Sequence, residues 1–232
     1  RRNCRYLKMI LTNSAPVPSA TIKKILALAP RADFFTYYGL TEASRSTFIN
    51  YRTEGKFTSV GKPASGIAVA VVSPAGRKMP PRRIGEVQIK GPTVVSGYYK
   101  NPRATRERIK NKWLATGDYG YCDEEGYLYL TGRTDEVMNI GGNKVYPHEI
   151  EEVLKKHARV ADAAVVAMRD PWLGSVPRAV VVVKGAYDED ALREKLKKLC
   201  RARLEPFKVP KIIEFSAGLP RTASGKLQKR LL

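Results

Sequence analysis

The spacing of apolar and polar residues predicts short strands and one helix in the first half of the chain. Residues 5–13 and 32–38 are predicted strands on either side of an amphipathic helix at 20–28, for which Ser19 is the predicted N-cap. From residue 59 to residue 133 the pattern changes to several short segments separated by Gly and Pro, at 67–72, 85–90, 119–121 and 127–131. Many short strands with frequent turns are typical of a small barrel or sandwich-like subdomain.

The rest of the chain alternates strands with helices. Apolar residues recur at helical spacing in residues 147–157 and 188–204, and strands are predicted at 160–168, 179–184 and 211–215. This alternation predicts a separate small α+β domain. We place the boundary after Thr134, which divides the chain into residues 1–134 and 135–232.

Charge and composition narrow the class of protein. Hydrophobic residues make up 43% and charged residues 28% of the 232 residues, as in ordinary folded proteins, and no apolar stretch approaches the roughly 20 residues of a membrane span. The net charge of +20 suggests a polyanionic partner, but the basic residues occur singly and in pairs. A positive surface that attracts nucleotide phosphates is therefore favoured, with nucleic acid as the weaker alternative.

The cysteines and histidines exclude several kinds of site. Cys4, Cys122 and Cys200 lie in no CxxC motif or Cys/His cluster, which predicts thiols in a reducing cytoplasm rather than disulfides or a zinc site. His148 and His157 are the only histidines and flank one predicted helix. A Ser-His-Asp hydrolase or a histidine-ligated metal centre is not expected.

Four segments carry the candidate chemistry, at residues 37–44 (YYGLTEAS), 113–118 (WLATGD), 132–151 (GRTDEVMNIGGNKVYPHEIE) and 219–228 (LPRTASGKLQ). An aromatic, a glycine, a hydroxyl and a carboxylate at a strand end can stack a base and hold phosphate and metal. Asp118 and Arg133 are 15 residues apart, so a hairpin can bring both to one ligand. Each motif also has a plain alternative: a helix cap at Thr41 and Glu42, an exposed ion pair between Asp118 and Arg133, and an ordinary surface lysine at Lys226.

The order and spacing of these segments resemble the adenylate-forming superfamily of acyl-CoA synthetases, luciferases and peptide-synthetase adenylation domains, from about Tyr6 to Leu232. The resemblance implies the end of a large N-terminal domain, with an α/β segment and a small β-barrel subdomain, followed by a small mobile α+β lid. It also implies ATP-dependent activation of a carboxylic acid to acyl-AMP and transfer of the acyl group to coenzyme A.

The resemblance assigns roles to individual residues. The implied nucleotide-binding residues are Ser14, Ala15, Pro16, Tyr38, Gly39, Asp118 and Arg133. Thr41 would bind phosphate, Glu42 would hold Mg²⁺, and Lys226 would offer its ammonium to the reacting carboxylate and α-phosphate. Asp135 would be the hinge between the two domains. The implied coenzyme A contacts are Gly141, Gly142 and Lys144.

Two departures from the family pattern bear on function. The Ser/Thr/Gly-rich loop ending in Lys-Gly, which binds the triphosphate in the family, does not occur in these 232 residues, so we expect the chain alone to adenylate poorly or not at all. Asn139 stands where many relatives carry Lys. A carrier protein as acceptor and a non-catalytic nucleotide- or CoA-binding module remain alternatives. A fatty acid of medium or long chain is the expected substrate, although aromatic and short-chain acids stay open, and the sequence does not indicate the oligomeric state.

Overall fold

A computed structural model describes residues 4–13 and 16–232 of the chain. The chain folds as two compact units, Arg1–Thr131 and Gly132–Leu232, which we call unit 1 and unit 2. This division lies close to the boundary expected after Thr134.

Unit 1 begins with a four-stranded sheet. After a short 3-10 helix (Cys4–Tyr6), its elements are β1 (Met9–Thr12), α1 (Ser19–Leu28), β2 (Asp33–Leu40), β3 (Ala43–Asn50), α2 (Tyr51–Glu54) and β4 (Lys62–Pro63). The strand order is β1-β2-β3-β4, with β1 and β2 parallel and the other pairs antiparallel. Ile22 of α1 packs against Phe34 and Ile49, and all three are essentially fully buried.

The second part of unit 1 is a half-barrel sheet, as the short-strand pattern predicted. Its elements are β5 (Ala68–Val72), β6 (Gly85–Lys90), α3 (Pro102–Arg108), β7 (Ile109–Lys110), β8 (Trp113–Cys122) and β9 (Leu128–Arg133). The order is β5-β6-β8-β7, and β9 also pairs with β8. Val60 N–H donates to Leu128 O, and Leu128 N–H donates to Gly61 O, both at 2.9 Å, so the connection after α2 runs alongside β9.

Unit 2 is a small α+β fold. Its elements are β10 (Met138–Ile140), β11 (Asn143–Val145), α4 (Pro147–Lys155), β12 (Val160–Asp170), β13 (Gly174–Val183), α5 (Glu189–Arg201) and β14 (Ile212–Ser216), with 3-10 helices at Pro206–Lys208 and Lys229–Leu231. β10 and β11 form a hairpin. β12, β13 and β14 form one sheet, antiparallel between β12 and β13 and parallel between β13 and β14.

The core of unit 2 forms where the helices turn their apolar residues toward this sheet. Ile150 and Leu154 of α4, four residues apart, are fully buried, as is Leu196 of α5. Because residues at i and i+4 share a helix face, one side of each helix reaches the core. Asp188 caps α5, since its side chain accepts the Ala191 N–H at 3.0 Å.

Three local predictions differ from the structure. Ser19 is the first residue of α1 rather than its N-cap, which is Pro18 and makes no side-chain capping bond. Within the predicted strand at 5–13, the chain instead forms a 3-10 helix followed by the shorter β1. The strand β3 was not predicted, because its sequence, ASRSTFIN, is mostly polar or small, and its pairing with β2 supplies the missing stabilisation.

Two further findings concern the chain as a whole. Over residues 4–13 and 16–232, no helix has the length and apolar character needed to cross a membrane. Cys122 and Cys200 are free thiols, and burial raises the pKa of Cys200 to about 11, which keeps that thiol protonated and unreactive at neutral pH. The cytoplasmic location stays a prediction.

Candidate functional site

The side chains of Tyr38 and Asp118 meet in unit 1, although 80 positions separate them in the chain. Tyr38 lies near the end of β2 and is partly buried, while Asp118 lies in β8 and is 8% exposed. The Tyr38 hydroxyl donates a hydrogen bond of 2.5 Å to Asp118 Oδ2. The fold therefore brings together an aromatic ring and a carboxylate that the sequence analysis assigned to the same nucleotide.

The backbone of β8 fixes the position of the Asp118 carboxylate. Asp118 N–H donates to the hydroxyl of Thr116 at 3.1 Å, and that hydroxyl donates to Val87 O of β6 at 2.8 Å. Gly117, between them, has a φ of 78°, which a side chain would disfavour. The Thr116 hydrogen bonds and the backbone conformation of Gly117 therefore orient Asp118.

Thr41 and Glu42 form the turn between β2 and β3, where Thr41 is exposed and Glu42 is half-buried. Glu42 Oε1 accepts a hydrogen bond of 2.9 Å from the Tyr98 hydroxyl, and Glu42 O accepts the Val95 N–H at 2.9 Å. Burial, followed by the Glu42 carboxylate, raises the pKa of Tyr98, so its hydroxyl stays protonated and donates. The sequence analysis did not identify Tyr98, whose only signal is its place in a Gly-Tyr-Tyr sequence.

The fit of Glu42 to Mg²⁺ depends on the substrate. Mg²⁺ is commonly bound by one or two carboxylates together with substrate phosphates and water, and Glu42 supplies one such carboxylate. In the part of the chain that the structure describes, no group of three or more His, Cys, Asp or Glu side chains could hold a metal by itself. Glu42 therefore supplies one carboxylate of the kind that a nucleotide-bound Mg²⁺ takes as a ligand.

Gly39 is required by the close approach of β2 and β3 at this turn. A Cβ placed there would lie 2.5 Å from Arg45 N and 2.8 Å from Ala43 O, both backbone atoms that cannot move aside cheaply. Arg45 itself has a φ of 51°. The two strands can pair beside Tyr38 only because residue 39 lacks a side chain.

Of the predicted turn at 14–16, only Pro16 lies within the described residues. Pro16 is exposed and precedes α1. Ser14 and Ala15 lie outside the described residues, so their assignment stays a prediction.

In unit 2, the predicted hinge residue Asp135 lies beside Arg133, which was predicted to bind the nucleotide. Arg133 Nε is 3.4 Å from Asp135 Oδ1, with side-chain exposures of 39% and 74%. An ion pair this exposed contributes about 0–1 kcal/mol, so it does not hold the segment rigidly. Arg133 ends β9, and Asp135 follows two residues later.

Gly141 and Gly142 form the tip of the β10–β11 hairpin, with φ values of 54° and 86°. Gly141 N–H donates to Leu173 O at 3.3 Å, which places the tip beside the loop between β12 and β13. Lys144 is exposed in β11, opposite Asn139 in β10. The two glycines leave an open backbone surface that a thin ligand can approach closely.

A groove of about 630 Å³ lies next to this hairpin and was not expected from the sequence. Its apolar lining includes Ile140, Leu173 and Val176, and three basic side chains also line it, Lys197, Arg201 and Lys211. Trp172, in the same loop as Leu173, is 92% exposed. An apolar floor with cations and an adjacent exposed aromatic suits a ligand that carries both a base and phosphates.

Lys226 lies in a tight hairpin near the end of the chain and is exposed. Thr222 N–H donates to Lys226 O at 2.8 Å, and Lys226 N–H donates to the Thr222 hydroxyl at 3.1 Å. Gly225, with a φ of 83°, makes the turn. The hairpin thus presents the Lys226 side chain on a well-bonded backbone.

Comparison with known proteins finds one family match within each unit. Residues 1–99 match the family described as AMP-binding enzyme, and residues 149–226 match the AMP-binding enzyme C-terminal domain. The 2-succinylbenzoate–CoA ligase of Bacillus cereus is 39% identical over 97% of this chain and 46% of its own length. The long-chain-fatty-acid–CoA ligase of Bacillus subtilis is 36% identical over 97% of this chain and 40% of its own length.

The fold is also similar to solved structures. The amide bond synthetase McbA from Marinactinospora thermotolerans is similar with a TM-score of 0.87 and 31% identity, over 97% of this chain and 46% of that protein. The chain thus spans less than half the length of the relatives it matches.

Replacing Gly39 by Ala should lower the free energy of unfolding by about 1–3 kcal/mol, because the new Cβ must displace backbone of β3. Gly218→Ala is the matched control, since residue 218 has open space around it and no positive φ. Urea denaturation of both variants measures the difference. Equal stabilities would show that the strands do not approach as closely as described.

Proposed function

We propose that this chain, which belongs to the adenylate-forming superfamily of AMP-binding enzymes, takes part in ATP-dependent activation of a carboxylic acid and transfer of its acyl group to coenzyme A. The observation that carries the proposal is the contact between Tyr38 and Asp118, because it unites in one place the two side chains that the family pattern assigns to base and ribose. The chain spans 46% of the length of its 2-succinylbenzoate ligase relative, so the activity proposed is that of the whole protein.

In the first half-reaction, an oxygen of the substrate carboxylate attacks the α-phosphorus of ATP. A bond forms between that oxygen and phosphorus, the bond to the β-phosphate bridging oxygen breaks, and pyrophosphate leaves. Tyr38 stacks on adenine. Asp118 accepts hydrogen bonds from the ribose hydroxyls, and Arg133 donates to ribose or phosphate oxygens. Thr41 binds phosphate, and Glu42 would hold an Mg²⁺ ion bound with ATP, which would neutralise phosphate charge.

Lys226 supplies the cation for this step. Its ammonium is a compact point charge placed near the attacking carboxylate and the α-phosphate as negative charge builds there. The exposed position of Lys226 on a hydrogen-bonded hairpin supports this role, since the side chain is accessible while its backbone is fixed. Asp135 is the proposed hinge that allows unit 2 to exchange one surface for another between the two half-reactions.

In the second half-reaction, the coenzyme A thiol attacks the acyl carbonyl and loses its proton to solvent, a thioester bond forms, and AMP leaves with the electron pair of the broken mixed anhydride. Gly141 and Gly142 give the pantetheine arm a close path along the backbone, and Lys144 lies in the same hairpin. The basic groove and the exposed Trp172 supply cations and a stacking surface for the nucleotide end of coenzyme A.

The acid and the acceptor are the less constrained parts of the proposal. We propose a fatty acid of medium or long chain, while the names of the relatives include both an aromatic and a long-chain acid. A carrier protein is the alternative acceptor, and the similarity to an amide bond synthetase shows that the fold alone does not dictate the acceptor. A nucleotide-binding module without catalysis is the alternative from another class.

The 232 residues alone should show little or no acid-dependent ATP–pyrophosphate exchange, because the triphosphate-binding loop of the family does not occur in them. Exchange with radioactive pyrophosphate, measured for this chain and for the whole protein, tests the expectation. Full turnover by the chain alone would refute it.

Replacing Lys226 by Met in the whole protein should lower acid-dependent pyrophosphate exchange by about 10²–10³-fold, because a preorganised charge is removed from the reaction centre. Binding of AMP should change by less than about threefold, since the adenosine contacts lie elsewhere. Lys195→Met, an exposed lysine of α5, is the control. Undiminished exchange in the Lys226 variant would contradict the proposed role of Lys226, whereas AMP binding without any acid-dependent exchange in the unmodified protein would favour the binding module.

Replacing Trp172 by Ala should raise the KM for coenzyme A by about tenfold and leave pyrophosphate exchange unchanged, because one stacking contact is worth about 1–3 kcal/mol. Tyr99→Ala is a matched control, since Tyr99 is 89% exposed, against 92% for Trp172. Hydroxylamine trapping of the adenylate measures the first step separately from thioester formation. Adenylate without any thioester in the unmodified enzyme would instead favour a carrier protein.

A further inference from the structure

A second lysine in the C-terminal tail is buried in unit 2 and has no part in the chemistry above. Lys229 follows Lys226 by three residues, but its side chain is only 15% exposed. Its ammonium lies 2.8 Å from Glu136 Oε2 and 2.7 Å from Glu151 Oε1. The two carboxylates come from different parts of the unit, the segment after Asp135 and the middle of α4.

The Lys229 ammonium forms an ion pair with each of the two carboxylates. Burial lowers the pKa of Lys229, but Glu151 and Glu136 outweigh that effect and raise the pKa above its ordinary value. Glu151 is 7% exposed and also accepts the Val165 N–H at 2.8 Å, so its carboxylate is fixed by β12 as well. Removing the lysine would leave a buried carboxylate without its cation, which is strongly unfavourable.

The cluster fixes one side of the Lys226 hairpin, and a second contact fixes the other. Gln228 N–H donates to Pro220 O at 2.9 Å, which ties the segment leading into Lys229 to the opposite arm of the hairpin. On that arm, the Arg221 guanidinium binds the Asp162 carboxylate and also donates to Gly225 O at 2.7 Å. The segments before and after the exposed Lys226 are therefore both held in place by ion pairs and hydrogen bonds.

We propose that Lys229 is a positioning residue for Lys226. Its ammonium holds the Lys226 hairpin against α4 and against Glu136, the residue that follows the proposed hinge. A rotation about Asp135 then carries Lys226 with it as part of one body, and the reactive ammonium arrives at a defined position. The inference rests on the proposed role of Lys226 in adenylation.

Lys208 offers a matched comparison within the same unit. Its ammonium also bridges two carboxylates, at 2.7 Å from Glu149 and 2.9 Å from Glu205, and its side chain is also 15% exposed. It lies in the 3-10 helix Pro206–Lys208, outside the hairpin at 219–228. A purely structural contribution of a buried, doubly paired lysine should therefore be similar at both positions.

The test measures adenylation in the whole enzyme with Lys229→Met/Glu151→Gln, in which no buried carboxylate at 151 is left unpaired. We expect kcat for pyrophosphate exchange to fall about 10–100-fold with KM for ATP changed less than threefold, because Lys226 is misplaced while nucleotide contacts are intact. Lys229→Arg, which can still bridge the carboxylates, should restore kcat to within about threefold of the unmodified enzyme. Lys208→Met should lower stability without this change in kcat.

A folded double variant with unchanged kcat would overturn the proposal, as would an equal loss in Lys208→Met. Should the double variant not fold, Glu136→Gln keeps Lys229 paired with Glu151 and must still lower kcat, and a normal kcat there would also overturn it. Lys226→Met, measured in parallel, separates this inference from the proposed function. Loss of exchange there with a normal double variant refutes only the positioning role. No loss there refutes the role of Lys226 on which the inference rests, and absence of acid-dependent exchange in the unmodified enzyme refutes the proposed function.

Discussion

The hydrogen bond between the Tyr38 hydroxyl and the Asp118 carboxylate is the interaction on which the candidate nucleotide site depends. It joins the end of β2 in the first sheet to the middle of β8 in the half-barrel. Tyr38 packs against the buried clusters of the half-barrel, and Asp118 is oriented by Thr116 and Val87. The site is therefore positioned by the packing of two sheets, with the turn at Thr41 and Glu42 added at its edge.

Unit 2 has a different physical requirement, because the proposed role of Lys226 places a charged side chain on the short hairpin at 219–228. A hairpin of a few residues has little apolar surface to bury, so ionic contacts hold it against the rest of the unit instead. Lys229 with Glu136 and Glu151, and Arg221 with Asp162, supply these contacts. These pairs show that part of the strongly basic composition serves the structure itself.

Several features were predictable because they depend on short-range patterns. The helices α4 and α5 follow from apolar residues at helical spacing, and Ile150, Leu154 and Leu196 are indeed fully buried. A Gly-Gly pair such as 141–142 is a local turn signal, and both residues adopt positive φ at a hairpin tip. In contrast, Tyr98 and Lys229 were missed, because each acquires its importance from a carboxylate that lies 56 or 78–93 positions away.

The sequence by itself determined the longer helices α1, α4 and α5, the change from short strands to an α+β pattern near residue 134, and the motifs on which the resemblance to the superfamily rests. Only the tertiary structure decided that Tyr38 contacts Asp118, that Glu42 contacts Tyr98, and that a basic groove lies beside the β10–β11 hairpin. Periodicity and turn chemistry act over a few residues and are visible in one dimension. Contacts between distant strands and the burial of a charge depend on packing, which a linear pattern does not specify.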